Sequence, residues 1–345
     1  MGILDEVRAL YEKRPYPPVS LLTPFVQFLR RDDLPLLNYQ AGFAASFGAI
    51  LENLTPPRIL IAGAGTFEPI AVAAANPGAH ILAVDLSENS LQKLRWIAKV
   101  KRVKLETWRG DFQELPSSFG KFDYLIASGL IHHLEDPERG LKALKSLSHE
   151  QSVFRFMIYS AWGRDLLYGA KELATLLGVE SPKALRRLLE ALPADHPYRI
   201  YYHLYSDART DIGLADGYLH PQDRAFTAED LGRLLDICGI EATCFLQKFG
   251  ANPENTNHLP ASASQWSRMA LLEAMGELEE NFLFFAKGKG NIRYEADSWK
   301  WNPALPKRSS LYSKRIEKIL PLGKIPERKE EYRDALFLLP SRRWA

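Results

Sequence analysis

Between Arg58 and Tyr159 the chain switches repeatedly between short apolar runs and amphipathic stretches. The runs at 58–62, 80–84, 103–108, 122–127 and 153–159 are of strand length and apolar enough to be covered on both faces. The stretches at 68–75, 87–99 and 138–148 carry apolar residues at helical spacing. A helix between two strands means a crossover connection, and therefore parallel strands. This alternation confines the region to a doubly wound α/β sheet with helices on both faces. Ligands of such sheets sit beyond the carboxyl ends of the strands, so the strand ends are read in turn.

The first run ends at Ala62-Gly63-Ala64-Gly65-Thr66-Phe67-Glu68-Pro69. Gly63 and Gly65 permit a sharp turn and a close approach of backbone to ligand. Pro69 suits the first turn of a helix, whose free amides hold an anion such as a phosphate or a carboxylate. The second run ends at Asp85, 22 residues after Gly63. A carboxylate at that spacing accepts the hydroxyls of a ribose; its other reading is a helix cap, a task Ser87 fills better. The third ends at Gly110-Asp111-Phe112, which suits an adenine amino group and ring face, or else a loop acid and a core ring. The fourth runs into Ser128-Gly129-Leu130-Ile131-His132-His133-Leu134-Glu135-Asp136-Pro137. His132 and His133 stand just past a strand end; they read either as a structural pair or as groups facing a substrate. No third ligand at metal-binding spacing accompanies them.

These pieces together resemble the class I S-adenosylmethionine-dependent methyltransferases. The carriers are Ile61-Ala62-Gly63-Ala64-Gly65-Thr66, Val84-Asp85-Leu86-Ser87, Gly110-Asp111-Phe112, and Phe122-Asp123-Tyr124 leading to Leu130-Ile131-His132-His133-Leu134-Glu135-Asp136-Pro137, in the family's order. The resemblance covers 58–159, continues through Phe226-Thr227 and a strand near 240–247, and closes at Asn281–Ala286. It implies a Rossmann-like, seven-stranded, mostly parallel sheet whose last strand is antiparallel. It implies S-adenosyl-L-methionine as cofactor, held by Gly63, Ala64, Gly65, Glu68, Asp85, Leu86, Asp111, Phe112 and Ser128. Two positions depart from the pattern: Ile61 replaces an acid common in the family, and Phe67 replaces a third glycine. The nicotinamide fingerprint fits less well, because Glu68 stands where it wants Gly or Ala.

The flanks add three regions. Residues 1–57 read as a helical arm, with helices at Ile3–Lys13 and Tyr39–Leu54, stopped by Pro56-Pro57. Tyr11 and Tyr16 would either pack or close over the cofactor, their rings facing its cationic methyl group. About 65 residues, 160–225, are inserted into domain 58–287, with helices at Leu166–Leu177 and Lys183–Leu192. As a helical cap they would set specificity through Tyr202, Tyr205, Arg209, His220, Asp223 and Arg224, or merely pack. Residues 288–345 hold 14 Lys/Arg against 7 Asp/Glu, on a chain whose net charge is +2. This basic extension carries Trp299, Trp301 and Trp344 but no RNA-binding signature, so packing, a homo-oligomer contact or capture of an anionic substrate is preferred to nucleic acid.

Two cysteines without metal-ligand spacing, no apolar signal core and no run long enough to span a bilayer predict a cytoplasmic protein without a membrane span or metal. The expected activity is in-line methyl transfer to the oxygen, nitrogen or carbon of a small molecule, with His133 or His132 as general base. The alternatives are a protein or RNA methyltransferase, suggested by the basic extension, and a cofactor-binding scaffold without catalysis, suggested by Ile61 and Phe67.

Overall fold

Ile59, Leu60, Ile61 and Ala62 are fully buried, and their alternation divides them between two hydrophobic layers. Leu60 and Ala62 pack with Leu82, Val84, Leu125, Phe154 and Phe156. Ile59 and Ile61 face the other way, onto Ile81, Ala83, Tyr124, Ile126 and Phe43. A central strand with two apolar faces requires cover on both sides, and the chain supplies it.

The computed structural model describes residues 2–18, 37–48, 55–246, 264–275 and 281–290. Among these, β1 (Arg58–Ala62), β2 (His80–Asp85), β3 (Glu106–Arg109), β4 (Phe122–Ser128), β5 (Ser148–Tyr159), β6 (Ile240–Phe245) and β7 (Asn281–Gly288) form one sheet. The order is β3-β2-β1-β4-β5-β7-β6. The first five strands are parallel, and β7 runs antiparallel to both β5 and β6. The expected Rossmann-like architecture is therefore the observed one.

The helices are α1 (Ile3–Lys13), α2 (Tyr39–Phe47), α3 (Glu68–Ala75), α4 (Glu88–Lys101), α5 (Pro137–Ser146), α6 (Asp165–Leu176), α7 (Pro182–Ala191), α8 (Pro197–Leu204), α9 (Asp211–Tyr218), α10 (Ala228–Ile237) and α11 (Gln265–Ala274). Local chemistry sets their ends. Ser87 caps α4 by accepting from the Ser90 amide at 3.0 Å, as the sequence suggested. Asp136 accepts from the Arg139 amide at 2.9 Å, with Pro137 opening α5.

Several boundaries differ from the sequence reading; the helix read as 138–148 ends at Ser146, and the fifth strand begins at Ser148 rather than 153. The third strand begins at Glu106, not 103, because α4 closes with Arg102 at φ 56° and the Val103 amide returning to the Ala98 carbonyl. That closure uses up the residues before 106. The second helix ends at Phe47, where Gly48 adopts φ 72° and donates back to the Ala44 carbonyl. Ile50 and Leu54, assigned to the same helix from the sequence, lie outside the described residues, as does 291–345 of the basic extension.

The insertion is a closed excursion. The Phe226 amide donates to the Tyr159 carbonyl and the Ala161 amide to the Phe226 carbonyl, so the chain returns to where it left β5. Between these points α6 to α9 build a separate core from Leu167, Leu185, Leu189, Tyr202, Tyr205, Leu214 and Tyr218. No helix among the described residues is long and apolar enough to cross a membrane.

Candidate active site

The turn after β1 is held by β2. Gly63 and Gly65 take φ 67° and 57°, and the Ala64 amide donates to the Val84 carbonyl at 2.9 Å. Asp85 binds the turn directly, its Oδ2 accepting from the Gly65 amide at 2.8 Å and its Oδ1 from the Ser87 amide at 2.9 Å. Burial raises the Asp85 pKa, and the two amides only partly offset it. A carboxylate has about four acceptor sites, so two remain for a ligand's hydroxyls. Leu86 follows, half-buried.

Asp111 caps the short 3-10 turn Phe112–Glu114, accepting from the Gln113 amide at 2.9 Å and from its Nε2 at 3.1 Å. Phe112 is buried in the core with Leu134 and Leu141. Beside them Gln113 Oε1 is buried with no partner, an acceptor suited to an amino group. The expected ammonium carboxylate, Glu68, accepts from Ser128 Oγ at 2.7 Å and from Arg155 Nη1 at 3.3 Å. Arg155 also donates to Ser128 Oγ at 2.8 Å. It is almost fully buried in the middle of β5. Sequence reasoning passed over it, although an arginine inside Val153-Phe154-Arg155-Phe156 is itself a signal that a buried anion must be near.

The arm closes over this turn. The Thr66 amide donates to the Tyr16 carbonyl at 3.1 Å, and Thr66 Oγ1 to the Pro17 carbonyl at 2.6 Å. A Cβ at Gly65 would lie 2.7 Å from the Tyr16 oxygen, so here the close backbone approach is made by the chain itself. Glu12 sits on the N-terminus of α4, accepting from the amides of Glu88 at 2.9 Å and Asn89 at 3.0 Å and from Ser87 Oγ at 3.3 Å. The same arm reaches the insertion. The Tyr11 hydroxyl donates to Asp216 Oδ1 and the Tyr16 hydroxyl to Asp207 Oδ2, each at 2.8 Å. Burial, then the Asp216 charge, pushes the Tyr11 pKa well above its ordinary value.

At the end of β4 the 3-10 turn Ile131–His133 places two histidines beneath the insertion. His132 is fully buried and stacks on Tyr159, with centroids 3.4 Å apart. The Arg164 guanidinium lies over the same Tyr159 ring at 3.3 Å. His133 stacks on His220 at 3.8 Å and meets His132 at 4.3 Å. The segment 222–224 clamps the pair. Gln222 O faces His133 Nδ1 at 2.9 Å, Gln222 Nε2 donates to the Leu134 carbonyl at 3.3 Å, and the Arg224 amide donates to the His132 carbonyl at 2.9 Å.

These partners assign the tautomers. A carbonyl only accepts, so His133 carries its proton on Nδ1 and keeps the Nε2 lone pair. The Tyr159 amide donates to His132 Nδ1 at 3.2 Å, and the Gln222 amide to His220 Nδ1 at 3.1 Å. Both rings therefore carry the proton on Nε2. Burial lowers all three pKa values; at His133 the charges of Asp216 and Asp223 oppose it. Asp223, with its side chain fully buried, lies 3.9 Å from His133 Nδ1, accepts from the Tyr168 hydroxyl at 2.8 Å and pairs with Lys171 at 3.4 Å.

Of the cap residues named from the sequence, His220 and Asp223 join this cluster. Tyr202 and Tyr205 are buried in the insertion's own core, where the Tyr202 hydroxyl accepts from Arg186 at 2.8 Å. Arg209 is exposed, and Arg224 is exposed with its guanidinium 5.2 Å from the Phe226 ring. Asp216, Tyr159, Arg164, Tyr168 and Lys171 were not singled out. Asp216, inside Gly213-Leu214-Ala215-Asp216-Gly217-Tyr218, was detectable as an acid in an apolar helix. Among the described residues, no three His, Cys, Asp or Glu are arranged to hold a metal ion.

The fold, the glycine turn and the acid at the end of β2 define a class of cofactor-binding α/β domain. Residues 60–154 match a family model described as Methyltransferase domain. Over that region the chain is similar to methyltransferase domains. The fold is also that of PKMT2 from Rickettsia typhi: TM-score 0.59 and 15% identity in complex with AdoHcy, over 73% of this chain and 52% of that one. A second structure of PKMT2 gives TM-score 0.61 and 15% identity, over 75% of this chain and 54% of that one. This chain therefore spans about half the length of those proteins. An uncharacterised protein of Synechococcus sp. is 28% identical over 314 residues, 82% of this chain and 72% of its own length.

Proposed function

We propose that the chain is an S-adenosylmethionine-dependent methyltransferase acting on a small-molecule acceptor, with His133 as general base. The observation that carries this reading is the enclosed histidine cluster. A neutral imidazole with its Nε2 lone pair available stands at the end of β4, roofed by the insertion and buttressed by the arm. The burial of all three rings favours a small acceptor over a folded protein surface or an RNA duplex.

The residues present fit the cofactor. Gly63, Ala64, Gly65 and Leu86 would form the turn wall, Asp85 has acceptor sites left for the ribose, and Gln113 Oε1 and Asp111 offer acceptors suited to an adenine amino group. When bound, the cofactor supplies an electrophilic methyl group on a cationic sulfonium. The chain's own part is to place the acceptor in line, to exclude water, and to receive the acceptor's proton at His133 Nε2. Correct placement alone is worth about 7–11 kcal/mol in well-organised sites. His132, its Nδ1 lone pair committed to the Tyr159 amide, serves as a donor.

In this reading residues 1–57 are a closing arm, 160–225 a substrate cap on domain 58–287, and 288–345 a basic extension. Cytoplasmic residence is supported by two free cysteines, Cys238 and Cys244. A second reading, a cofactor-binding scaffold, is favoured by one observation: Glu68 is engaged by Arg155 where the cofactor's ammonium group would need a carboxylate. Calorimetry with S-adenosylmethionine and S-adenosylhomocysteine, then labelled methyl donor in metabolite extracts treated with nuclease and protease, tests all of these. We expect binding of both ligands and label in a protease- and nuclease-resistant small molecule. Binding of neither ligand would remove the methyltransferase reading, and label confined to protein or RNA would remove the small-molecule one.

A further inference from the structure

The histidine cluster holds more hydrogen-bonding capacity than the chain uses: two buried donors stand beside the lone pair of His133 Nε2. His132 Nε2 and His220 Nε2 are buried and have no partner. The two rings are 0% and 2% exposed. Their Nδ1 atoms accept from backbone amides, so each unpartnered Nε2 is an N–H donor. The rings flank His133, at 4.3 Å and 3.8 Å between centroids. The nearby acids are already supplied with donors: Asp216 by the Tyr11 hydroxyl, Asp223 by Tyr168 and Lys171. What these two donors lack is an acceptor within reach.

We infer that His132 and His220 form a two-donor seat for an oxygen of the methyl acceptor, a carbonyl or carboxylate oxygen close to the atom that is methylated. The inference rests on the methyltransferase reading and deepens it by naming the chemistry of the substrate. An ammonium group brings donors only and would leave both N–H groups unsatisfied. An sp2 oxygen has two lone pairs and satisfies both. A buried donor without a partner is costly, and such groups persist where a ligand completes them. Protonation of either ring would put a second proton on Nδ1, against the amide that donates to it, so both stay neutral single donors. The two donor rings flank the His133 ring, so an acceptor held by its oxygen would present a neighbouring atom close to the base. His132 and His220 are thus specificity-determining residues, and His133 alone receives the proton.

The test uses the full-length protein labelled with 15N-histidine and saturated with S-adenosylhomocysteine. Long-range 1H–15N spectra, assigned with His→Gln variants, should show the Nε2–H tautomer at His132 and His220 and the Nδ1–H tautomer at His133. Benzamide and benzoate then stand for a neutral and an anionic oxygen, and benzylamine for an ammonium. We expect at least one oxygen probe to shift the Nε2 signals of both His132 and His220 together, and benzylamine to shift neither. Which probe acts distinguishes a carbonyl from a carboxylate substrate. His220→Phe, which keeps a stacking ring but no donor, should weaken that probe about tenfold, and His220→Gln should restore most of the loss. The Nδ1–H tautomer at His132 or His220, or binding of benzylamine alone, would overturn the inference. So would probe affinity unchanged in a folded His220→Phe, or oxygen probes that move neither signal in protein that does bind S-adenosylhomocysteine. If His220→Phe does not fold, the tautomers and probes in the unmodified protein decide. Failure to bind S-adenosylhomocysteine at all would instead strike the methyltransferase reading, and this inference with it.

Discussion

Glu12→Ala should undo the arm while leaving the sheet intact. The Glu12 carboxylate accepts from two amides and one hydroxyl at the start of α4. A capping side chain of this kind contributes about 1 kcal/mol, and a charge at a helix N-terminus about 0.3–1 kcal/mol more. The backbone bond from Asn89 Nδ2 to the Glu12 carbonyl, 2.7 Å, survives the substitution. A net loss of about 1.5–2 kcal/mol raises the undocked population of the arm by roughly 10- to 30-fold. Hydrogen exchange reads this directly, because the Thr66 amide is protected by the Tyr16 carbonyl. Thr66 exchange should accelerate by that factor, tryptic cleavage after Lys13 should quicken, and the Leu82 amide in the central sheet should not change. Unchanged Thr66 protection would refute the clasp; equal acceleration at Leu82 would show global destabilisation instead. The same contact has a pH signature. Burial alone would raise the Glu12 pKa, but the amides of Asn89 and Glu88, the Ser87 hydroxyl and Arg109 outweigh it and hold it below the ordinary 4.5. A carboxylate favoured in its ionised form by docking stabilises the docked arm fully above about pH 4.5. That contribution disappears as pH falls through the lower, docked value.

Gly65→Ala should release the same arm from the other side, since its Cβ would lie 2.7 Å from the Tyr16 carbonyl at a left-handed φ; Thr66 exchange at wild-type rates would contradict this. His133→Ala should cut turnover about 10²- to 10⁴-fold with S-adenosylhomocysteine affinity nearly unchanged, as measured by calorimetry and single-turnover kinetics. Because burial depresses the His133 pKa, the acid limb of kcat/KM in the unmodified protein should fall below pH 6.5, and a limb above 6.5 would exclude His133 as its source. Asp85→Ala should weaken S-adenosylhomocysteine binding and also loosen the glycine turn, because the carboxylate holds the Gly65 and Ser87 amides; unchanged affinity by calorimetry would remove Asp85 from the site.

The sheet was legible because its signal is periodic and local. Ile59 to Ala62 reads as a buried strand from four residues, and Ser87 and Asp136 mark helix starts through bonds spanning three positions. What escaped sequence reading depends on partners far along the chain. His132 and His133 are adjacent and chemically identical in the sequence. Only the Tyr159 amide and the Gln222 carbonyl, 27 and 89 residues away, make one a donor and the other an acceptor. Tyr205 and His220 looked equally suited to line a pocket, but α6 to α9 draw the tyrosine into their own core and leave the histidine against His133. Gly65 was read correctly as a site of close approach. That the approaching group is the Tyr16 carbonyl could not be known without the fold.

The arm's hydroxyl bonds also bear on the order in which the molecule assembles. Tyr11 is synthesised 205 residues before Asp216, and Tyr16 191 residues before Asp207. Neither phenol can find its carboxylate until the sheet strands β1 to β5 and most of the insertion have left the ribosome. Closing loops of that length is entropically costly and slow, and is repaid only once the scaffold on both sides stands. The segment made early is therefore placed late, as a seal over a finished sheet. Mutations that weaken it should speed opening of the native state and leave the rate of sheet formation untouched.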